Sequence, residues 1–580
     1  MVQSFSRIKR FLPGLVVLLA GYAQAVSIAA PWSGQPLWWL QILSLAVLVA
    51  LLQRAPSVRR AALMGWLFAL SWLTGNSWWL FISMHNYGGL AAPLAVGAIV
   101  ALSGFLALYY AAACAFYKHF SGFNHTEYAQ AAPIFIATWT LAELARDTWL
   151  TGFPWGAGGY AHVDGPLAGL AAWLGVYGVG AAATALACGL VAVLLQVAAR
   201  IGVVRSTPGP IPGPQPYAPA LSRSATALHK LRPTLWLALL CAALIGLGLA
   251  ARETTQLVTA STGTTTVALL QGNIPQGEKF DNSKGVPFAL EWYAQQLATS
   301  TATMTITPET AIPLLIRQLP DGYWARVKAK FDALHDGTAQ AALIGIPLGS
   351  FEDGYTNSVM GLQPNKLSGA HNLLQNVMQP QPYRYDKHHL VPFGEFTPAP
   401  FKWFTRMMDI PLGDFNRGAV GPASFDFADQ RWAPNICYED LFGDELAARF
   451  VDASSAPTVL VNISNIGWFG NSIAIDQHLH ISRMRALELG RPMVRATNTG
   501  PTVIINHRGE VSASLPRHAR GVLTGVVDGR TGITPFAWWA GRLGLLPLWG
   551  LGLAVVGWAV LTRSLRARKL TPLGKVGTPT

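Results

Sequence analysis

Residues 432–440 read WAPNICYED, an apolar run that ends in a thiol and two carboxylates. Short apolar runs bounded by polar residues are typical of buried strands. In α/β folds, the side chains that follow such strands commonly form the functional site. The run therefore predicts a buried strand, and Cys437 at its end is the first candidate for chemistry.

Eight further strand-like runs lie on either side of this one, at residues 265–273, 302–309, 341–348, 357–364, 458–465, 493–499, 502–507 and 521–528. Helical patterns alternate with them near residues 285–300, 320–335, 443–452 and 474–490. This alternation predicts an α/β domain over residues 252–530 whose sheets are covered by helices. A stretch of that length can bury a full core without disulfides.

The rest of the chain is much more apolar. Hydrophobic residues make up 51% of the sequence and charged residues only 12%, which excludes a disordered or purely cytosolic protein. Runs long enough to cross a bilayer, about 20 residues each, occur near residues 11–30, 36–53, 61–83, 90–117, 131–150, 166–199, 234–251 and 541–562. The sequence therefore predicts a membrane α-helical bundle of about eight spans, with seven in residues 1–251 and the last in residues 531–580, which also carry a basic tail.

The basic residues follow a membrane pattern. The net charge is +13, yet residues 252–530 hold 23 basic and 25 acidic residues. The remainder holds 19 basic residues and four acidic ones, and 17 of those basic residues lie at the N-terminus, in alternate loops or in the C-terminal tail. Basic residues favour the cytoplasmic side of a membrane protein. We therefore expect both termini in the cytoplasm, the 252–530 domain on the outer side, and no nucleic-acid partner.

Two other features are simpler to interpret. Residues 7–25 form either the start of the first span or a cleaved signal peptide, and the outer domain has the same location in both cases. Residues 201–232 contain the Pro/Gly-rich stretch PGPIPGPQPYAP and are expected to form a cytoplasmic linker. The cysteines stand singly, which excludes a disulfide scaffold or a cysteine zinc site; they are Cys114, Cys188, Cys241 and Cys437.

Three reactive side chains lie at or near the ends of predicted strands. Glu309 ends the run at 302–309, Cys437 follows the apolar run described first, and Lys387 lies in a polar loop at 385–395. A carboxylate can take the proton of a thiol whose ordinary pKa is about 8.5, and an ammonium can stabilise the thiolate and a later oxyanion. The set therefore predicts a cysteine nucleophile. The alternative interpretation is structural: a helix-capping glutamate, a surface lysine and an inert buried cysteine.

Several motifs surround these residues: QGNIPQ (271–276), PETAIP (308–313), HHLVPFGE (388–395), CYED (437–440) and RMRALELGRP (483–492). With them the sequence resembles the carbon-nitrogen hydrolase (nitrilase) superfamily and, within it, the apolipoprotein N-acyltransferases, over nearly the whole chain. The resemblance implies a membrane α-helical bundle joined to an α/β nitrilase-like αββα sandwich domain. It also implies a bacterial inner-membrane enzyme with a periplasmic catalytic domain.

The resemblance further implies roles for individual residues. Cys437 would take an acyl chain from a phospholipid as a thioester and pass it to the α-amino group of the diacylglyceryl-cysteine that begins an apolipoprotein. Glu309 would be the general base, while Lys387 and the backbone N–H of Tyr438 would hold the oxyanion. Glu395 would position this triad, and Tyr438 and Glu439 flank the nucleophile. No cofactor or metal is implied; the expected partners are a phospholipid donor, an apolipoprotein acceptor and the membrane.

Two other functions remain open at this point. A membrane-anchored amidase or nitrilase would use water in place of the lipoprotein amine. A transporter would carry a vestigial outer domain, and paired charges would line the route of its substrate through the membrane. The sequence offers only a cluster near residues 143–147, where Glu143 and Arg146 are either an intrahelical pair that shapes the bundle or a functional pair.

Three remaining patterns have weaker interpretations. Residues 401–412 are rich in aromatic residues and Met, and they form either a lid that touches lipid or ordinary packing. His478 and His480 lack further metal-ligand spacing and are expected on a helix near the nucleophile. A serine triad of Ser464, His480 and Asp476 is not supported, since no nucleophile elbow surrounds the serine.

Overall fold

The computed structural model describes residues 2–121, 128–200, 221–332, 334, 337–364, 382–398 and 414–570. The first part of the predicted linker (201–220, with its Pro/Gly-rich stretch), the predicted lid at 401–412 and the end of the tail beyond residue 570 lie outside the described residues. The last part of the predicted linker, 221–232, is instead the start of the helix Leu221–Val258.

Each of the predicted apolar runs overlaps a helix. These are α1 (Val2–Ile28), α2 (Trp38–Arg54), α3 (Val58–Ser77), α4 (Ala92–Ser121), α5 (Tyr128–Thr148), α6 (Ala171–Arg200), α7 (Leu221–Val258) and, at the other end of the chain, α13 (Leu546–Leu570). Together they form what we call the helical part. Within the described residues, four stretches are long and apolar enough to cross a membrane: Ala92–Ser121, Ala168–Ala198, Thr234–Glu253 and Leu546–Leu565. A membrane location is therefore supported, while the number of eight spans stays a prediction.

Aromatic side chains fill the centre of the helical part. Trp72 stacks on Trp139 with ring centroids 6.2 Å apart, and Tyr110 lies 4.8 Å from Trp139. All three side chains are buried. In contrast, leucines of α13 are exposed, including Leu551, which is 68% exposed. An apolar core together with an apolar outer surface is what a bilayer environment favours.

Twelve strands within the described residues form two sheets of six. They are β1 (Ala260–Gln271), β2 (Met304–Ile306), β3 (Ala341–Ser350), β4 (Gly354–Leu362), β5 (Tyr383–Asp386), β6 (Phe425–Phe427), β7 (Gln430–Ile436), β8 (Val459–Ser464), β9 (Met493–Thr497), β10 (Val503–Ile505), β11 (Val511–Ser514) and β12 (Gly521–Thr531). The strand orders are β12-β1-β2-β3-β4-β5 and β11-β10-β9-β8-β7-β6. In each sheet three adjacent strands run parallel: β1-β2-β3 in the first and β7-β8-β9 in the second.

The two sheets pack face to face between layers of helices. Leu269 and Leu343 point into the core between the sheets, while their neighbours Leu270 and Ile344 pack under the helices of the first sheet. Those helices are α8 (Gly285–Thr299) and α9 (Tyr323–Asp332); the second sheet is covered by α10 (Gly443–Ala447), α11 (Ala474–Leu489) and α12 (Pro535–Leu543). Alternate residues of a strand face opposite sides, so both faces of these strands must be apolar. The predicted αββα sandwich is therefore confirmed; we call it the sandwich domain.

Some boundaries differ from the sequence prediction. Strands β5, β6 and β11 were not predicted, and the helix expected at 443–452 ends as an α-helix at Ala447 and continues as a short 3₁₀ turn. The apolar run expected at 541–562 is divided at Gly544, whose φ of +55° ends α12 before α13 begins. A left-handed φ is accessible to glycine at no steric cost, so the chain can turn there.

Candidate active site

The three predicted reactive residues follow three strands of the sandwich domain. Glu309 lies just after β2, Lys387 directly after β5, and Cys437 directly after β7. Strands β2 and β5 belong to the first sheet and β7 to the second, so the site forms where the two sheets meet. The alternative of a surface lysine is wrong, because Lys387 is only 1% exposed.

The Glu309 carboxylate is held by donors from both sheets. Its Oε1 accepts a hydrogen bond from Asn357 Nδ2 at 2.7 Å, and Lys387 Nζ lies 3.5 Å from the same oxygen. Its Oε2 accepts from the backbone N–H of Asn465 at 2.8 Å. Burial alone would raise the pKa of Glu309, but Lys387, Lys279 and these two hydrogen bonds hold it below the ordinary value. Glu309 is therefore ionised at neutral pH and able to accept a proton.

Lys387 and Glu395 form a buried ion pair. Lys387 Nζ lies 2.9 Å from the Glu395 carboxylate, and Asn357 Nδ2 donates to Glu395 Oε1 at 2.8 Å. Asn357 thus joins the two carboxylates through one amide group. Although burial acts to lower the pKa of Lys387, the attraction of Glu395 and Glu309 raises it above the ordinary value. The ammonium remains charged, and its position is fixed between two acids.

Cys437 begins a 3₁₀ turn at the end of β7 with a φ of +53°. Such a left-handed conformation is uncommon for a residue other than glycine and is often found at functional sites. Burial and the Glu309 carboxylate raise the pKa of the thiol to about 12, while Lys387 acts in the opposite direction. The resting side chain is therefore a neutral thiol, which needs a base before it can act as a nucleophile.

Glu439 connects the loop of Lys387 to the turn of Cys437. Its Oε2 accepts from Tyr385 Oη and from the Ile436 N–H, both at 2.6 Å, and its Oε1 accepts from the His388 N–H at 2.6 Å. Burial raises the pKa of Glu439, and these donors oppose the increase. The carboxylate holds two of the site's backbone segments in register, which fits a supporting role.

Tyr438 joins the site to the helical part. Its hydroxyl donates to the carbonyl oxygen of Gly152 at 3.1 Å, in the loop that follows α5. The next residues of the same turn, Leu441 and Phe442, pack in one apolar cluster with Trp155 and Tyr160 of the helical part. The turn that carries Cys437 therefore lies against the helical part rather than on the far side of the sandwich domain.

A second contact between the parts is made by α11. Gln477 Oε1 accepts from the indole N–H of Trp155 at 2.8 Å and of Trp79 at 3.0 Å, and its Nε2 donates to Asn76 Oδ1 at 3.1 Å. Arg483 forms an ion pair with Asp164. The Gln477 contacts are buried, whereas Asp164 is exposed, and together these contacts fix the orientation of the sandwich domain on the helical part.

Three residues of the site were not predicted from the sequence. Lys279 is 1% exposed, and its Nζ donates to the backbone oxygen of Glu309 at 2.9 Å. Burial lowers the pKa of Lys279 to about 8. Asn357 and Asn465 hold the Glu309 carboxylate as described above. Lys279 follows the QGNIPQ motif closely, and this position was the only signal that could have pointed to it.

The weaker predictions have mixed outcomes. Glu143 and Arg146 do not pair with each other: Glu143 accepts from the Gly158 N–H at 3.0 Å, while Arg146 donates to the Phe153 and Trp155 carbonyls. Hydrogen bonds from α5 to the segment that follows it therefore take the place of the expected ion pair within α5. His478 and His480 do lie on α11, as expected. Asp476 forms an ion pair with Arg517.

Comparisons with known proteins agree with this architecture. A family model described as the apolipoprotein N-acyltransferase N-terminal domain matches residues 24–189, and a carbon-nitrogen hydrolase model matches residues 266–535. A curated apolipoprotein N-acyltransferase of Verminephrobacter eiseniae is 51% identical over 568 residues, covering 95% of this chain and 96% of the relative. A second, from Ralstonia nicotianae, is 42% identical and covers 91% of this chain and 90% of the relative.

Among solved structures, a carbon-nitrogen hydrolase from Helicobacter pylori G27 is 15% identical, with a TM-score of 0.32. The match covers 46% of this chain and 89% of that chain.

Proposed function

The chain belongs to the apolipoprotein N-acyltransferase family, and we propose that it moves an acyl chain from a phospholipid to the α-amino group of the N-terminal diacylglyceryl-cysteine of an apolipoprotein. Similarity at 51% identity over nearly the full length carries this proposal. The amidase and transporter alternatives have no comparable support.

In the proposed first half-reaction, Cys437 becomes acylated. Glu309 takes the thiol proton, and the thiolate sulfur attacks the carbonyl carbon of a phospholipid ester. Lys387 and the Tyr438 N–H stabilise the negative charge on the carbonyl oxygen. When the intermediate collapses, the carbon–oxygen bond breaks and the leaving alkoxide takes the proton from Glu309. The products are a thioester and a lysophospholipid.

In the proposed second half-reaction, the lipoprotein amine replaces the lysophospholipid. Its nitrogen attacks the thioester carbonyl, Glu309 takes one amine proton, and the carbon–sulfur bond breaks to give an amide. The Cys437 thiolate then regains a proton from Glu309. Because the carboxylate and the thiol begin and end each cycle in the same state, a single base serves both halves of a ping-pong reaction.

Glu395 and Glu439 are proposed as positioning residues. The Glu395 carboxylate holds the Lys387 ammonium at 2.9 Å, and Glu439 fixes the backbone on both sides of the site. Removing Glu395 leaves the buried Lys387 ammonium without its nearest counter-charge, and removing Glu439 leaves its hydrogen-bond donors unpaired. Both acids are therefore expected to matter even though neither reacts.

We also propose the membrane arrangement. The excess of basic residues outside 252–530 supports cytoplasmic termini and a periplasmic sandwich domain, with α1–α7 preceding it and α13 following it. The packing of Tyr438 and its neighbours on the helical part supports entry of the acyl chain from the bilayer side.

A direct assay tests the proposed function. We expect the purified protein, supplied with phospholipid, to add the mass of one acyl chain to a synthetic peptide that begins with diacylglyceryl-cysteine. A peptide with an acetylated N-terminus is the control and should gain no mass, because it has no nucleophilic amine. Hydrolysis of the phospholipid ester without peptide acylation would favour the amidase-like alternative.

Replacing Lys279 with methionine should change the pH dependence of this reaction. The Lys279 ammonium lowers the pKa of Glu309, so its removal is expected to raise that pKa. Less Glu309 is then ionised at low pH, and the acidic limb of the pH–rate profile should move to higher pH. The effect should be strongest below a pH of about 8, where native Lys279 is charged.

The matched control is Lys284→Met, since Lys284 is an exposed lysine in the same segment. We expect its pH profile to coincide with that of the native protein. An equal loss of activity at every pH in Lys279→Met, with no displacement of the acidic limb, would contradict the electrostatic role.

A further inference from the structure

A fully buried polar cluster lies directly behind the nucleophile turn. His478 Nε2 is 3.1 Å from the carbonyl oxygen of Cys437 and 2.9 Å from Asp440 Oδ1. On the other side of the ring, Arg495 Nη2 lies 2.6 Å from His478 Nδ1. Ser482 Oγ donates to Asp440 Oδ2 at 2.5 Å. These contacts belong neither to a metal site at His478 and His480 nor to a serine triad with Ser464.

The surroundings of His478 determine its tautomer. A guanidinium group can only donate hydrogen bonds, so Nδ1 facing Arg495 must be an acceptor without a proton. The single ring proton is therefore on Nε2, where it is shared between the Cys437 carbonyl and Asp440. Burial and the facing Arg495 lower the pKa of His478, although Asp440 opposes them, so the ring is neutral. His478 is thus a fixed donor to the backbone of the nucleophile.

The carbonyl of Cys437 belongs to the same planar peptide unit as the N–H of Tyr438. A second donor, Asn462 Nδ2, lies 3.3 Å from that carbonyl oxygen. The peptide unit follows a residue in the left-handed region, where the backbone needs support from its surroundings. Hydrogen bonds to the carbonyl both fix the plane and polarise the N–H at its other end.

We propose that His478 is a positioning residue that orients the Cys437–Tyr438 peptide, so that the Tyr438 N–H points at the oxyanion formed during acylation. This inference rests on the proposed function. It assigns the cluster a role in the carbonyl chemistry and none in generating the thiolate.

Two reactions of Cys437 can separate these roles. Acylation by phospholipid passes through an oxyanion, whereas alkylation by iodoacetamide is a displacement at carbon that needs only the thiolate. A loss of oxyanion stabilisation therefore lowers the ratio of the acylation rate to the alkylation rate. General damage to the fold or to thiol activation lowers both rates.

The variants are His478→Asn and His478→Gln. A glutamine amide can place a donor near the position of Nε2, whereas the shorter asparagine cannot reach the Cys437 carbonyl. Removal of an oxyanion donor itself costs roughly 10²–10³-fold, so we expect its misorientation in His478→Asn to lower the ratio by about 10-fold or more. His478→Gln should restore most of the native ratio.

His480→Asn is the matched control. His480 is also buried on α11, but its Nε2 lies 2.8 Å from the carbonyl oxygen of Gly34 in the helical part. This variant should lower the melting temperature without changing the ratio.

An unchanged ratio of the two rates in His478→Asn would overturn the inference, and so would equal losses of both rates in His478→Asn and His478→Gln. In either case, acylation of the native protein would still support the proposed function. If native Cys437 is alkylated but never acylated by phospholipid, the proposed function fails, and the inference fails with it.

Discussion

Replacing Cys437 with alanine is expected to abolish acyl transfer to the lipoprotein peptide, with a loss of more than about 10⁴-fold, because alanine has no nucleophilic atom to form the acyl intermediate. Cys437 lies close enough to Glu309 and Lys387 for both charges to act on the pKa of its thiol, in opposite directions. The rate of peptide acylation by mass spectrometry is the measurement.

The other three cysteines supply the controls. Cys114 and Cys188 are buried in the core of the helical part, and Cys241 is half-buried there. Alanine at these positions removes packing and lowers the melting temperature but removes no reactive group. Each single variant should retain transfer activity below its melting temperature. Activity in Cys437→Ala, or its loss in all four variants alike, would be incompatible with a cysteine nucleophile at position 437.

The second large effect is expected for Glu309→Gln. The amide keeps the size of the side chain but cannot accept the thiol proton, and the loss of a general base typically costs 10²–10⁴-fold. Burial, the largest cause of the raised thiol pKa, is unchanged in this variant, so little thiolate forms at neutral pH without a base. The rate constant for transfer should therefore fall, while Lys387 keeps its buried partner Glu395.

Glu291→Gln is the control for this substitution. Glu291 is an exposed glutamate on α8 whose only recorded ion pair within the described residues is with exposed Arg326. A surface pair of this kind contributes roughly 0–1 kcal/mol, so neither activity nor stability should change noticeably. Native-like acylation by Glu309→Gln would show that another group takes the proton.

The sequence predicted the central strands better than the edges of the sheets. Strands β3, β8 and β9 are buried over nearly their whole length because both of their faces are covered, and each was predicted close to its observed bounds. The three strands that were missed, β5, β6 and β11, are all edge strands. β11 is largely exposed, with the sequence VSAS. Short edge strands are stabilised mainly by pairing with a neighbour, which leaves little pattern in their own sequence.

The candidate triad was predictable because Glu309 and Cys437 follow predicted strands within the PETAIP and CYED motifs, and Lys387 directly precedes the HHLVPFGE motif. The groups that tune it were not. Lys279, Asn357 and Asn465 reach Glu309 from three separate segments, and only the folded chain brings them within hydrogen-bond distance. The same holds for His478, whose bond to Cys437 spans 41 positions of the chain. Residue-type patterns reveal reactive groups, whereas long-range contacts decide their protonation and orientation.

The central claim is that Cys437 carries the acyl chain. Its most direct test is intact-mass spectrometry of the purified protein after incubation with phospholipid alone, beside Cys437→Ser as the control. We expect the native protein to gain the mass of one acyl chain, to lose it on treatment with hydroxylamine, and the control to gain no such hydroxylamine-sensitive mass. A folded native protein that gains no mass, or a serine variant that gains the same hydroxylamine-sensitive mass, would contradict the thioester.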